Sequence, residues 1–549
     1  MLRGTCITIL GRRTRMPLYE VVPEDIFFTV HFPTIYMDPL RAACIPSNLH
    51  VLSLFAMVLA IGALFDLALP IAEVQPRSAE LYAVALSALD LRFPVNFDSI
   101  SAAQSLHLMA LWFLCMRGEE GGDSAWQALG LAMRSIVAQE CHRDDSSWGL
   151  PPREAEERRR VFWETLVFDR LQSFTLGRPY ALSDAHHNCE MPQTCDTPLP
   201  SDTDPEDRVF SHLKWHTLKF RFALLLGRIV DTVLNARQTP TYEVVLDMDR
   251  DVQSYYASLP GWAICEAVEH PVTALPSPDE LRPAKDGLQM RRDAQIASLA
   301  NMCFLAILDL HRGPFCRALM LGGRNLVSSK YKQSVESLTN AARAMINVAR
   351  GLFARHPRLF SRMWYWIFHS FTAAVCQAVF VIGAPRHPLA PAAYESMQSA
   401  LHLYARADGE HSKAASERLV RLAAQARSEM DKAHRVASIS IEDTPPTRVA
   451  FPTSNIRGNV AEDFLGTSPT LVRSAPEPQH DKDASQHSPW PQPESDWIDH
   501  NYQFDAQTRL FHSEQPGSQQ FSASRYFSED GFDVTAFIQS GARPWMFDN

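Results

Sequence analysis

Trp126-Gln-Ala-Leu129-Gly-Leu-Ala-Met133-Arg134 opens a run of words that continues with Cys141-His-Arg-Asp144 and Glu156-Glu-Arg-Arg-Arg160-Val-Phe-Trp163. Asp169-Arg170-Leu171, Leu176-Gly177-Arg178-Pro179 and Glu190-Met-Pro192 complete it. In the first word Trp126, Leu129, Met133, Ile136 and Val137 recur at helical spacing, so one stripe of this helix faces a core. The polar run 141–150 ends it. Pro151-Pro152 announces a second helix, because a first turn has no helical acceptor for the amide hydrogens that proline lacks. Glu154, Glu156 and Glu157 sit at the positive end of its dipole. Val161, Phe162, Leu166 and Leu171 carry the apolar stripe onward until Gly177 and Pro179 break the helix. The stretch therefore reads as a helical hairpin followed by an extended segment.

Working outward, Asn48 caps a helix over Leu49–Leu69 that Pro70 stops. A helix near Ser78–Leu91 and another starting at Ser99 or Ser101 follow, the latter with Leu106, Met109, Ala110 and Phe113 as its apolar stripe. Towards the C-terminus the pattern predicts helices over Val209–Ala236, Asp247–Leu259 and Leu288–His311, the last broken by Gly313-Pro314. Further helices are expected over Ser334–Phe353, Trp364–Ala384 and, with an exposed charged face, Ala393–Ala437. The Trp364 run has no charged residue and reaches membrane-spanning length, but His369, Ser370, Thr372 and Gln377 inside it need partners that a helix bundle supplies and lipid does not. Short connections imply antiparallel neighbours. The expected fold is all-α, a multi-helix array of antiparallel helical hairpins with a disordered C-terminal tail.

Hydrophobic residues make up 46% of the 549, enough for a large core over most of the length. The formal net charge of −10 argues against an unaided polyanion binder, which carries a basic footprint. Ten scattered cysteines without a Cys-x-x-Cys pair point to a reducing compartment, not a disulfide framework. Arg3, Arg12, Arg13 and Arg15 precede the first acid, Glu20, but with little serine and no amphipathic pattern they read as a basic lead-in and not a transit peptide. Four prolines between Met16 and Ile45 suggest an irregular docking arm.

The ordered words from Trp126 to Pro192 resemble the fungal-specific transcription factor domain, the regulatory middle region of fungal zinc-cluster transcription factors. Arg158, Arg159, Arg160, Phe162, Trp163, Asp169, Gly177, Arg178 and Pro179 carry the resemblance. Ile61-Gly-Ala-Leu64 and Leu308-Asp-Leu-His-Arg-Gly-Pro-Phe315 are similar to weaker flanking words, so it covers roughly residues 45 to 385. It divides the chain into an N-terminal arm (1–44), a helical regulatory domain (45–437) and a tail (438–549). It implies regulation of transcription by RNA polymerase II in the nucleus and contact with DNA, often as a homodimer or heterodimer. Coactivators and small-molecule effectors are the further partners it implies, with no membrane.

The family's DNA reader is a six-cysteine module holding two zinc ions. Only Cys6 and Cys44 precede residue 100, so no zinc ligand is assigned, and zinc is expected only if an N-terminal zinc cluster is missing from this sequence. His186, His187, Cys189 and Cys195 are close together, but not at structural-zinc spacing. A partner-dependent or dominant-negative regulator without DNA binding of its own is therefore an alternative reading. A helical enzyme or membrane-associated protein is a third. Against catalysis, there is no Gly-x-Ser-x-Gly or phosphate loop, and Asp202 with Asp204, or Asp247 with Asp249, lacks partners at useful spacing.

Arg158–Arg160 could contact phosphate, although a helix also pairs them with Glu154 and Glu156 at i, i+4. Asp169 falls on the apolar face and needs a cation, for which Arg178 is the nearest candidate once Gly177 turns the chain. In the tail, the segments around Trp497 and Phe504 and around Phe532 and Phe537 interleave acids with aromatics. Such composition keeps large hydrophobes solvated and available to a partner's groove, as in an activation segment.

Overall fold

The computed structural model describes residues 18–36, 47–90, 99–144, 148–192, 212–236, 238–276, 287–321, 323–442, 527–528 and 531–537. Its contacts divide it into two units, Met1–Arg435 with Gly517–Asn549, and Val436–Pro516. Of the second unit only the end of the last long helix is described.

The fold is all-α. The long helices are α1 (three contiguous pieces, Glu24–Ile26, Phe27–His31 and Phe32–Tyr36), α2 (Ser47–Leu64), α3 (Ile71–Asp90), α4 (Ile100–Arg117), α5 (Gly122–Ala138) and α6 (Pro152–Leu176). They continue with α7 (His212–Ile229), α8 (Tyr242–Ala257), α9 (Gly287–Met320), α10 (Lys332–Arg355), α11 (Trp364–Gly383), α12 (Ala390–Tyr404) and α13 (Glu410–Glu442). Successive helices pack on one another: α2 on α3, α4 on α5, α5 on α6, α6 on α7, α9 on α10, α10 on α11 and α11 on α12. The described strands are the two-residue pieces Phe527–Ser528 and Gly531–Phe532, paired antiparallel.

Local signals place most boundaries. Ser99 caps α4 by accepting the Ala102 amide at 3.1 Å. Pro152 occupies the first turn of α6, and Gly177 ends it in the left-handed conformation at φ 65°. Between helices, the Trp112 indole donates to Ser78 Oγ at 3.0 Å, and Ser78 donates to the Ala60 carbonyl at 2.7 Å, tying α4, α3 and α2 together.

Four expectations need correction. The N-terminal arm is not irregular, since residues 24–36 are helical. Pro23 precedes the first turn, Glu24 and Asp25 complement its dipole, and the wide turn Phe27–His31 accommodates Pro33, which has no amide hydrogen. Helix α2 stops at Leu64 and not at Leu69, because Arg358 and Arg362 take up the carbonyls of Leu67, Asp66 and Leu69 and hold that stretch as a turn. Pro314 does not break α9, which runs on to Met320 with Pro314, Phe315, Cys316 and Leu319 buried. The packing of that last segment outweighs proline's helix penalty of about 3 kcal/mol. The charged C-terminal stretch is two helices, α12 and α13, with Ala405 to Gly409 between them.

Helices α9 and α11 are long and apolar enough to cross a membrane, yet 83% of each apolar window is buried inside the protein. The polar residues within α11 are matched as a bundle requires: Gln377 donates to the Thr339 carbonyl at 2.8 Å, and Ser370 lies 2.8 Å from the Tyr404 hydroxyl.

Candidate functional site

The three arginines of α6 form a clamp on the chain around them. The Arg158 guanidinium donates to the Gln139 carbonyl and lies 5.9 Å from the Trp148 ring. Arg159 bonds both carboxylate oxygens of Asp144 and reaches Glu190 Oε2 at 3.1 Å, joining the His-Arg-Asp turn to the closing Glu-Met-Pro. Its bond to Asp144 raises the Arg159 pKa above the usual value. Arg160 pairs with Glu156 at 3.3 Å and Glu20 at 3.5 Å. Phe162 and Trp163 are buried, and the Trp163 indole donates to the Glu190 carbonyl at 2.9 Å. With every arginine engaged this way, the cluster holds two loops against α6.

Asp169 does not pair with Arg178. Its Oδ2 accepts the Ala181 amide at 2.7 Å, while Oδ1 has no hydrogen-bond partner among the described residues. Burial, only partly offset by that amide and by Arg170, pushes its carboxyl up to about 6. The left-handed turn at Gly177 sends Arg178 to Asp123 at 2.9 Å and over the Trp126 ring at 5.0 Å. Pro179 accepts the Trp126 indole through its carbonyl at 3.2 Å. Arg170, next to Asp169 in sequence, is the residue that sequence reasoning overlooked. It is fully buried, bonds Asp184 and the Ala223 carbonyl, and faces Gly227, where a Cβ would sit 3.0 Å from its Nη1.

Beneath this clamp lies a buried charge cluster. Glu164 on α6 meets two α7 residues one turn apart: His216 Nδ1 at 2.5 Å and Lys219 Nζ at 2.6 Å. Lys219 also donates to the Leu18 carbonyl at 2.8 Å and lies about 5 Å from the rings of Tyr19, Trp215 and Phe220. Burial lowers the Lys219 pKa, and Glu164 opposes that fall.

Lys219 borders a largely apolar cavity of about 690 Å³, measured out to its mouth. α4, α6, α7, α9 and the start of α11 line it, with Leu18 and Tyr19. Ser298 Oγ and His369 Nδ1 are buried polar atoms of that lining with no hydrogen-bond partner among the described residues, and the buried Tyr365 hydroxyl there meets Asn301. Burial lowers the His369 pKa to about 3, which keeps the ring neutral, and raises the Cys115 thiol to about 12, which keeps it from acting as a nucleophile. The arrangement is suited to binding and has no nucleophile paired with a base.

A serine–histidine–aspartate line does occur elsewhere. Ser334 Oγ is 2.9 Å from His311 Nδ1, and His311 Nε2 is 3.2 Å from Asp249 Oδ2. All three residues are completely buried and Ser334 also holds the Tyr242 hydroxyl at 2.8 Å, so the line ties α8, α9 and α10 together. Among the described residues no group of three or more His, Cys, Asp or Glu side chains is placed to hold a metal ion. Cys195 lies outside them, as do Trp497 and Phe504. Phe532 lies in the second short strand. Phe537 is 2% exposed, which corrects its expected availability to a partner.

Residues 26–263, which include the clamp, the charge cluster and most of the cavity's α4, α6 and α7 walls, match the family model of the fungal specific transcription factor domain. Those residues are similar to that domain. An uncharacterized transcriptional regulatory protein of Schizosaccharomyces pombe is 26% identical over 353 residues, 63% of this chain and 42% of that protein. A Zn(2)-C6 fungal-type transcription factor of Monascus ruber is 27% identical over 27% of this chain and 19% of its own length. The aurofusarin cluster transcription factor of Gibberella zeae is 34% identical over 23% of this chain and 17% of its own. The chain thus spans less than half the length of each of these regulators. No solved structure gives a significant match.

Proposed function

We propose that this chain is a nuclear regulator of RNA polymerase II transcription, whose helical array is the regulatory part and whose acidic-aromatic tail, 438–549, is an activation region. The observation that carries this reading is the match over 26–263, with its motif residues used as a structural frame and none as a catalytic group. In this reading the chain is not an enzyme. DNA is read through a six-cysteine zinc module, on the same polypeptide or on a dimer partner, because the 549 residues hold only Cys6 and Cys44 before residue 100.

The test is tethering. Residues 1–549 fused to an unrelated DNA-binding domain should activate a reporter, and the unfused chain should show no sequence-preferring DNA binding at moderate salt. Within the tail, replacing Trp497 and Phe504 by alanine should abolish activation, since aromatics interleaved with acids supply docking area for a partner. Full activity in that double variant would remove the aromatic-docking part of the reading, and a silent fusion would remove the activator part.

A further inference from the structure

We propose that the cavity between α4, α6, α7, α9 and the start of α11 binds a small, uncharged aromatic molecule carrying a hydroxyl or carbonyl oxygen. The space is about 690 Å³ with the open solvent at its mouth included, and, like small-molecule sites in general, it is concave and mostly apolar with a few polar groups. Tyr19, Phe168, Trp215, Trp364 and Tyr365 all contribute to the wall, so a flat ring finds edge and face contacts on several sides.

The polar groups select the rest of the ligand. Gln172 is already committed to the Gly122 carbonyl at 3.3 Å, and Thr175 to the Leu171 carbonyl at 2.9 Å. Ser298 and His369, each 3% exposed, keep an unpartnered atom in the lining. Buried polar atoms without partners are costly, and one oxygen function on a ligand can serve either of them. Charge is disfavoured from both directions. Among the described residues of the lining Lys219 is the only formally charged side chain, and Glu164 already neutralises it at 2.6 Å. A carboxylate or sulfonate would lose its hydration to meet a lysine already paired with Glu164, whereas an ammonium would face Lys219.

The regulatory meaning of such binding rests on the reading above, but the binding itself is measured without it. Purified full-length chain is titrated with naphthol, following tryptophan fluorescence because Trp215 and Trp364 line the site. Saturable one-site binding is expected. Ser298→Ala should weaken it about fivefold, the loss of roughly one neutral hydrogen bond. Met302→Trp, which fills the space from α9, should abolish it while circular dichroism and melting temperature stay those of the parent. No saturation up to about 1 mM naphthol would overturn the proposal. So would undiminished binding to folded Met302→Trp, or naphthalene sulfonate binding as tightly as naphthol. A chain that fails the reporter test yet binds naphthol in this pattern keeps the site and loses only the transcriptional reading.

Discussion

At the scale of single residues, Asp169 shows how position and partner separate. Its place on the apolar face of α6 follows from helical spacing alone, and its burial at 2% exposure agrees. Its partner does not follow, because Gly177 turns the chain by an angle that spacing does not encode, and a backbone amide arrives where an arginine was expected. A testable consequence is the pH response. The folded carboxyl titrates near 6, above the roughly 4 of an unfolded aspartate, so the folded state binds the extra proton and gains stability as pH falls between those values. Ionisation above pH 6 costs on the order of 1–3 kcal/mol. Asp169→Asn should therefore melt no lower than the parent at pH 7, and its advantage should shrink or vanish at pH 5. A melting curve at each pH checks this, and an equal loss at both would show that the carboxylate itself is needed.

At the scale of elements, helix boundaries were legible wherever a local group sets them: the Ser99 cap, the Pro151-Pro152 start and the Gly177 stop. Pro314 and the N-terminal prolines were misread because distant packing, not the proline, decides those segments. Pairing between helices was illegible for the same reason. Glu164 and Lys219 are 55 positions apart and meet only because α6 lies on α7. Lys219→Met should destabilise the fold by about 3–5 kcal/mol, since it strands Glu164 beside His216 in a dry setting. Adding Glu164→Gln should recover part of that loss, and chemical denaturation of the single and double variants measures the coupling; strict additivity would mean that the pair is not energetically linked. Gly118 is the sharpest steric constraint between elements. It closes α4 at φ 58°, and a Cβ there would lie 2.6 Å from His411 and 2.7 Å from Trp364. Gly118→Ala should cost about 2–4 kcal/mol in the same assay, combining backbone strain with the displacement of α11 and α13.

For the whole molecule, the all-α class was visible in the sequence, whereas the cavity was not. An apolar helix face reads alike whether it meets another helix or an empty space, and Ser298 and His369 look like ordinary core residues until their surroundings are known. The cavity also joins distant parts of the chain, as its α4, α6 and α7 walls close against Ser298 and Met302 of α9 and Trp364 and His369 of α11, and the Trp215 indole donates to the Gln295 carbonyl at 2.8 Å. Residues 18–276, which hold the matched region, should therefore not form a stable monomer by themselves. Size-exclusion chromatography and calorimetry of that fragment should give aggregated or non-cooperative material, and a sharp monomeric transition would contradict the prediction.

The position of α9 and α11 in the cavity wall bears on how the protein is made. A nascent chain emerges from its N-terminus, so α4, α6 and α7 leave the ribosome well before Ser298, Trp364 and His369. Until those residues arrive, the apolar faces that will line the cavity stand uncovered, and Lys219 and Glu164 hold only their early partners. Synthesis thus passes through an interval in which the matched region exists without its cover. Chaperone engagement should be greatest in that interval, and premature termination within α9 should yield a product cleared by proteolysis instead of a smaller working regulator.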